Sequence, residues 1–253
     1  MKTVPDKQQG SCAFPDGGIY VLRTDRIYVV VVCHRIGVNG VGPHKHNDWL
    51  SYELSVDDQP IVVDPGTYCY TGNVDLRRLF RSTTYHNTVV VDKQEQIPIN
   101  RVFAFDHPFG EVVVSRWESN SDYDCLEAEH TGYTRLSDPV IHRRRFFLQK
   151  TLCSLEISDT FVGRERHLLN WSIHLDAGLN CHAKGKLAKI YCGVEPHAEI
   201  EFEGWPTNCE IRPAWVSKAY NCRTEAQMVC LQCHQDLSLP AAFVHRFRPV
   251  ANS

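Results

Sequence analysis

Hydrophobic and polar residues alternate in short runs along almost the whole chain. Residues 18–24 and 26–34 are two β-rich runs parted by Asp25, the pattern of a hairpin near the start. Residues 50–56 and 59–63 flank Asp57 and Asp58, a tight turn between alternating runs. The pattern continues through 87–91, 111–117, 123–130, 142–149, 152–160 and 166–174, then 188–192, 198–203, 226–233 and 241–247. Turn-forming residues recur about every ten positions, the rhythm of a sandwich or barrel. Helical periodicity is confined to 75–80, where Leu76, Leu79 and Phe80 share one side. No internal repeat, charge block or Pro/Ser-rich linker divides the chain. The expectation is an all-β protein, one antiparallel β-sandwich domain over residues 1–253.

Composition adds exclusions. The 253 residues, 43% hydrophobic and 23% charged, rule out disorder and low-complexity polymers. A formal net charge of −3 provides no global basic field, so neither nucleic acid nor an anionic membrane is an expected partner. The longest apolar run, residues 27–33, is too short to span a bilayer. The first residues lack the apolar core of a secretory signal. Eleven cysteines lie scattered, without the dense framework of a small secreted scaffold. They read as reduced, buried thiols, which favours a cytoplasmic setting. Cys230 and Cys233 form a lone C-x-x-C on a half-buried strand, without the second pair a zinc site normally needs.

Candidate chemistry concentrates in residues 37–96. His44, His46 and Asp48 follow a Gly-rich stretch, 37–43, and in an extended chain they project from one face. Two imidazoles at i and i+2 point to metal binding or catalysis as much as to ordinary polar residues. Asp64 ends an apolar run just before Pro65 and Gly66. It is either a turn aspartate bonding amides two residues on, or a ligand. His86, before Asn87 and another apolar run, is either a core histidine with satisfied nitrogens or a ligand. Imidazole nitrogens and a carboxylate oxygen suit zinc, and ligands this widely spaced need a sheet to gather them.

Three motifs in succession carry a family resemblance. G-x-H-x-H-x-D-x-L-S-[FY]-E-L reads over 42–54, V-D-P-G-T-Y-x-Y over 63–70, and F-R-S-T-x-x-H-N-T-V-x-V-D over 80–92. In this order they closely resemble the C-terminal β-sandwich of the heparinase II/III-like proteins, most strongly over 14–176. The resemblance implies a polysaccharide lyase cleaving uronic-acid-containing glycans by β-elimination. It implies one structural zinc ion on His46, Asp64 and His86, and a catalytic role for His44, directed into the substrate cleft. A neutral histidine can act as base or steady an enolate-like intermediate. Zinc at the neighbouring residue would hold the loop within the tolerance catalysis needs.

Such relatives, often periplasmic, carry an N-terminal α/α toroid that supplies a catalytic tyrosine and an Asn or His for the uronate carboxylate. This sequence shows no helical repeat of that kind. The expected partners are therefore an acidic polysaccharide (a glycosaminoglycan, alginate or another exopolysaccharide) and a toroid-bearing domain or chain. Of the nearby cations Arg77, Arg78, Arg81, Lys93 and Arg101, Arg81 is expected closest to the glycan, since a guanidinium suits a uronate or sulfate. Its alternative role is to hold the loop. Tyr68, Tyr70 and Tyr85 read as strand-packing aromatics, and the run 142–145 as a solvated strand face. Two other readings compete with the lyase. One is a noncatalytic, zinc-stabilised carbohydrate-binding or assembly module. The other is a metallohydrolase, because H-x-H-x-D is similar to a metallo-β-lactamase ligand run, but Trp49 stands where that run continues with histidine.

Overall fold

The computed structural model describes residues 10–35, 42, 44–99, 101, 104–105, 110–204 and 208–250. Of the Gly-rich stretch 37–43, all but Gly42 lies outside the described residues. Among the described residues every strand pairing is antiparallel, and three sheets form. The first runs in the order β1 (Cys12–Phe14), β2 (Ile19–Arg23), β3 (Ile27–Val32), β4 (Tyr52–Val56), β5 (Gln59–Val62). The four-stranded sheet sets β6 (Val89–Val91) beside β11 (Arg166–His174), followed by β16 (Cys222–Asp236) and β15 (Asn208–Ala219) at its edge. The eight-stranded sheet uses β7 (Val112–Ser119), β8 (Tyr123–Tyr133), β9 (Val140–Gln149), β10 (Ser154–Val162), β12 (Leu179–Lys184), β13 (Leu187–Cys192), β14 (Glu195–Glu203) and β17 (Ala242–Pro249). Its spatial order is β12-β13-β14-β17-β10-β9-β8-β7.

The two smaller sheets join edge to edge. Val62 bridges Leu175, Val63 N donates to His174 O at 3.0 Å, and Asp176 N donates to Ile61 O at 3.1 Å. Together they face the eight-stranded sheet, giving the β-sandwich that the alternating pattern predicts. Tyr52 of β4 meets Phe146 of β9, and Trp171 of β11 meets Phe243 of β17 at 4.4 Å between centroids. A continuous apolar cluster fills the space between the layers, because period-two alternation turns one row of each strand inward.

Three strands were not expected: β1, β12 and β15. Each is an edge strand of its sheet. The strand β9 corrects the reading of 142–145 as a solvated face. His142 and Arg144 are buried while Arg143 points outward, and Arg144 pairs in the interior with Asp159 of β10. All eleven cysteines are free, and Cys230 and Cys233, three apart on β16, take opposite faces of the strand.

The helical segments among the described residues are α1 (Val74–Arg81) and a 3-10 turn, Thr83–Tyr85. Asn73 caps α1, its Oδ1 accepting from Leu76 N at 2.9 Å. The expected apolar side is only partly right, for the helix buries Arg77, Phe80 and Arg81 and leaves Leu79 exposed. The two arginines turn inward because acceptors wait for them there. No helix among the described residues is long and apolar enough to cross a membrane.

Candidate functional site

Three loops converge where the two smaller sheets join. The β3–β4 loop carries His44 and His46, the segment after β5 carries Asp64 to Tyr70, and the turn after α1 delivers His86 to β6. Asp64 takes the first of the two roles that the sequence left open and stands where it could take the second. Its Oδ1 accepts from Gly66 N at 2.8 Å, making the turn, while its Oδ2 lies 2.6 Å from His86 Nδ1. Gly66 has φ +81°, and a Cβ there would sit 2.3 Å from Ser217 O, so only glycine lets this turn lie against β15.

Candidate ligand atoms of His46, Asp64 and His86 lie within 4.8 Å of one another. His86 is fully buried and its Nε2 has no hydrogen-bond partner. A buried nitrogen left so is costly, and a metal ion would satisfy it. Burial, then His86 and Arg77, push His46 down to about 3, which keeps its ring in the neutral form a metal ligand needs. Burial opposes the charge on Asp64, yet the adjacent His86 holds its carboxyl below the usual range. Two imidazoles and a carboxylate at this spacing fit zinc by donor type. Arg77 Nη1 donates to His46 Nε2 at 3.0 Å, and Thr67 Oγ1 stands 3.4 Å from the same nitrogen.

His44 stands apart from this trio. It is exposed, with Nδ1 3.0 Å from the Tyr70 hydroxyl and the two rings edge-to-face at 5.7 Å. The expected extended run through 44–48 does not form. Asn47 bends it, donating from Nδ2 to Ile97 O at 2.8 Å and to Glu95 Oε2 at 2.9 Å, while its amide donates to Arg81 O at 3.0 Å. Asp48 turns away to His34 Nε2 at 2.9 Å. Against its burial, that histidine keeps Asp48 well below the usual carboxylate range. His44, His46 and Asp48 therefore share no common face, and the metallohydrolase ligand run is not assembled.

Arg81 is fully buried. Its Nε donates to Lys45 O at 3.1 Å and its Nη1 to Arg101 O at 3.0 Å, and the guanidinium lies over the Phe105 ring at 4.5 Å. In this arrangement it braces the His44–His46 loop through carbonyls. Tyr68 stacks on Phe80, and Tyr85 packs against Phe80 and accepts from Trp215 N at 3.1 Å, so both are packing residues as expected. Tyr70 is not: it bonds His44, and Arg77 lies 4.8 Å from its ring. Its place within the D-P-G-T-Y-x-Y motif is the signal that could have found it.

The family model for the heparinase II/III-like C-terminal domain matches residues 6–242. No curated protein matches the chain. Among solved structures, a heparan sulfate lyase from Pedobacter heparinus superposes with TM-score 0.81 at 18% identity, covering 97% of this chain and 37% of that one. A heparinase III gives TM-score 0.79 at 20% identity, covering 96% of this chain and 36% of its own. A chondroitin AC lyase from Streptomyces coelicolor gives TM-score 0.54 at 12% identity, covering 98% and 34%. At such identities the likeness is one of fold, and the chain spans little more than a third of each of these structures. With the family model matching nearly its whole length, the chain belongs to the heparinase II/III-like C-terminal domain family.

Proposed function

We propose that this chain is the β-sandwich part of a polysaccharide lyase that cleaves uronic-acid-containing glycans by β-elimination, with one structural zinc ion on His46, Asp64 and His86. The observation that carries the reading is the exposed His44, 3.0 Å from the Tyr70 hydroxyl and two residues from His46 of the candidate metal trio. In β-elimination the proton α to the uronate carboxylate is removed, a double bond forms as the C4–O bond breaks, and the departing oxygen takes up a proton. His44 receives the α proton or steadies the resulting enolate, and the Tyr70 hydroxyl is placed to pass a proton onward. When bound, zinc supplies a fixed positive charge that ties the His46 loop to the Asp64 turn. Asn47 and Arg81 hold that loop from behind.

The uronate carboxylate also needs a counter-charge. We assign it to a toroid-bearing domain or chain, a reading supported by the third of its relatives' length that this chain spans. The substrate class is an acidic polysaccharide, heparan-type by analogy with the relative named a heparan sulfate lyase. Alginate and other acidic exopolysaccharides share the required chemistry. The share of the solved lyases that this chain spans, little more than a third, equally allows one other reading, a noncatalytic zinc-stabilised binding module.

Purified protein should hold about one equivalent of zinc, lost in His46→Ala together with thermal stability and kept in His44→Ala. With heparan sulfate or alginate and a toroid-bearing partner, near-ultraviolet absorbance of unsaturated uronyl ends should rise, and His44→Ala should slow it at least about 100-fold. An unchanged rate in that variant removes the catalytic assignment. Retention of glycan without any unsaturated product supports the binding module.

A further inference from the structure

We infer that the turn joining β15 to β16 forms a second wall of the cleft and a subsite for one anionic sugar residue, with Tyr220 as stacking platform and Arg223 as the contact for its carboxylate or sulfate. The inference rests on the glycan reading above and adds residues that no motif contains.

The turn is fastened to the segment that carries Asp64 and Tyr70. Ser217 N donates to Pro65 O at 2.8 Å and Asn221 N donates to Tyr68 O at 2.7 Å. The Ser217 hydroxyl lies 2.9 Å from Ala219 O and 2.7 Å from Cys222 O, closing the turn on itself. Gly66 lets the two backbones touch. A hairpin tip that would otherwise fray is thus held in place before any ligand arrives.

On that frame Tyr220 leaves 65% of its surface exposed and lays its ring on Tyr70, with centroids 6.1 Å apart and planes 23° apart. A single exposed aromatic is ordinary. This one extends the face of the tyrosine whose hydroxyl meets His44. The C–H face of a pyranose packs on such a ring as another apolar face does.

Arg223 supplies the charge. Its guanidinium lies 4.3 Å from the Trp215 ring and 5.2 Å from the Tyr68 ring. Among the described residues no carboxylate pairs with it, whereas Arg212 on the neighbouring strand pairs with Glu210 at 2.6 Å. A planar cation already held by two rings loses little further freedom on meeting an anion, and its N–H donors suit a carboxylate or sulfate. Tyr220 contacts Tyr70 and Arg223 contacts Tyr68, two residues of one short segment, so ring and charge both lie against the stretch that carries the partner of His44.

The test uses the full zinc-loaded chain, titrated calorimetrically with a heparan sulfate hexasaccharide and with an unsulfated alginate hexamer. Tyr220→Ala and Arg223→Gln should each weaken binding about tenfold, and Tyr220→Phe should stay within about twofold. Arg223→Gln should also flatten the salt dependence. Zinc content and unfolding temperature should match the unsubstituted protein, and Tyr220→Phe and Arg223→Gln keep the test decisive if Tyr220→Ala folds poorly. Unchanged affinity in Tyr220→Ala and Arg223→Gln, with the unsubstituted chain binding well, overturns the hairpin assignment and leaves the glycan reading standing. Equal losses in Tyr220→Phe and Tyr220→Ala overturn stacking as the mode of contact. No binding of either oligosaccharide by the unsubstituted chain overturns the glycan reading, and the subsite falls with it.

Discussion

At His167 one imidazole joins three stretches of chain. Its Nδ1 lies 2.6 Å from Asp92 Oδ2 and its Nε2 2.9 Å from Asp138 Oδ2, so an imidazolium there donates to both carboxylates. Burial opposes that charge, but the bonds to Asp138 and Asp92 raise the His167 pKa above its ordinary value. The bond from His167, with two backbone amides, lowers Asp138 to about 2. A raised histidine contributes its full stability below the unfolded value near 6.5 and loses it as pH climbs through the higher folded value. The Asp138 contribution is complete above about 4 and fades as pH falls through the lower folded value. His167→Ala should therefore be most destabilising between about pH 4 and 6.5. Its effect there should be on the order of 1 to 2 kcal/mol, since solvent screens the half-exposed Asp92. Thermal unfolding of both proteins at pH 5.5 and pH 9 measures it, and equal losses at the two pH values would remove the linkage.

Residue identity was legible at this scale, but orientation was not. The family resemblance singled out His46, Asp64 and His86 from a wider set of possible donors, and the structure gathers them. The period-two rule misplaced Asp48, because that rule applies only to extended chain and Asn47 anchors a bend. Arg81 was chosen for its charge, while its burial follows from carbonyls at Lys45 and Arg101 that no neighbouring residue announces.

Among the elements, strands with a β-rich alternation were readable even at sheet edges, as β6 and β7 show, whereas the polar edge strands β12 and β15 were not. An interior strand buries a continuous apolar row, whereas an edge strand is paired on one side and tolerates polar residues and proline. β15 carries Glu210, Arg212 and Pro213, and β12 carries Asn180, His182 and Lys184, so neither shows the β-rich alternation of its neighbours. The helix α1 has eight residues, too few to persist without a cap and tertiary contacts. Asn73→Ala removes the bond to Leu76 N and should lower stability by about 1 kcal/mol, with Asn73→Asp restoring it. Urea midpoints of the two variants decide this. Because α1 presents Arg77 to His46 and Arg81 to Lys45, Asn73→Ala should also weaken zinc retention under chelator challenge. Unaltered retention would show that the loops hold the trio without the helix.

Across the whole molecule, one buried ion pair ties the layers together. Arg144 of β9 and Asp159 of β10 meet at 2.6 and 2.9 Å inside the eight-stranded sheet. Arg144 Nη1 also donates to Leu50 O and Asn87 O, each at 2.8 Å, and Trp171 Nε1 of β11 donates to Asp159 Oδ2 at 2.9 Å. The pair thus reaches both smaller sheets, and Asn87 adjoins His86. Burial opposes the charge on Asp159, but Arg144 and His142 draw its pKa far down. Asp159→Ala leaves the Arg144 cation buried and should destabilise by about 3 to 5 kcal/mol, whereas Asp159→Leu combined with Arg144→Met should lose much less. Urea unfolding of the three proteins measures the difference, and equal losses would mean that the pair acts through shape alone. By itself, the sequence determined the all-β class, the family and the donor types of the candidate site, because alternation, turn residues and motifs are properties of neighbouring positions. Tertiary structure decided that His86 reaches Asp64, that Asp48 goes to His34, and that Tyr220 lies on Tyr70. Those contacts join loops distant in sequence, and the side chains find their partners only once the sheets have packed and closed the intervening chain.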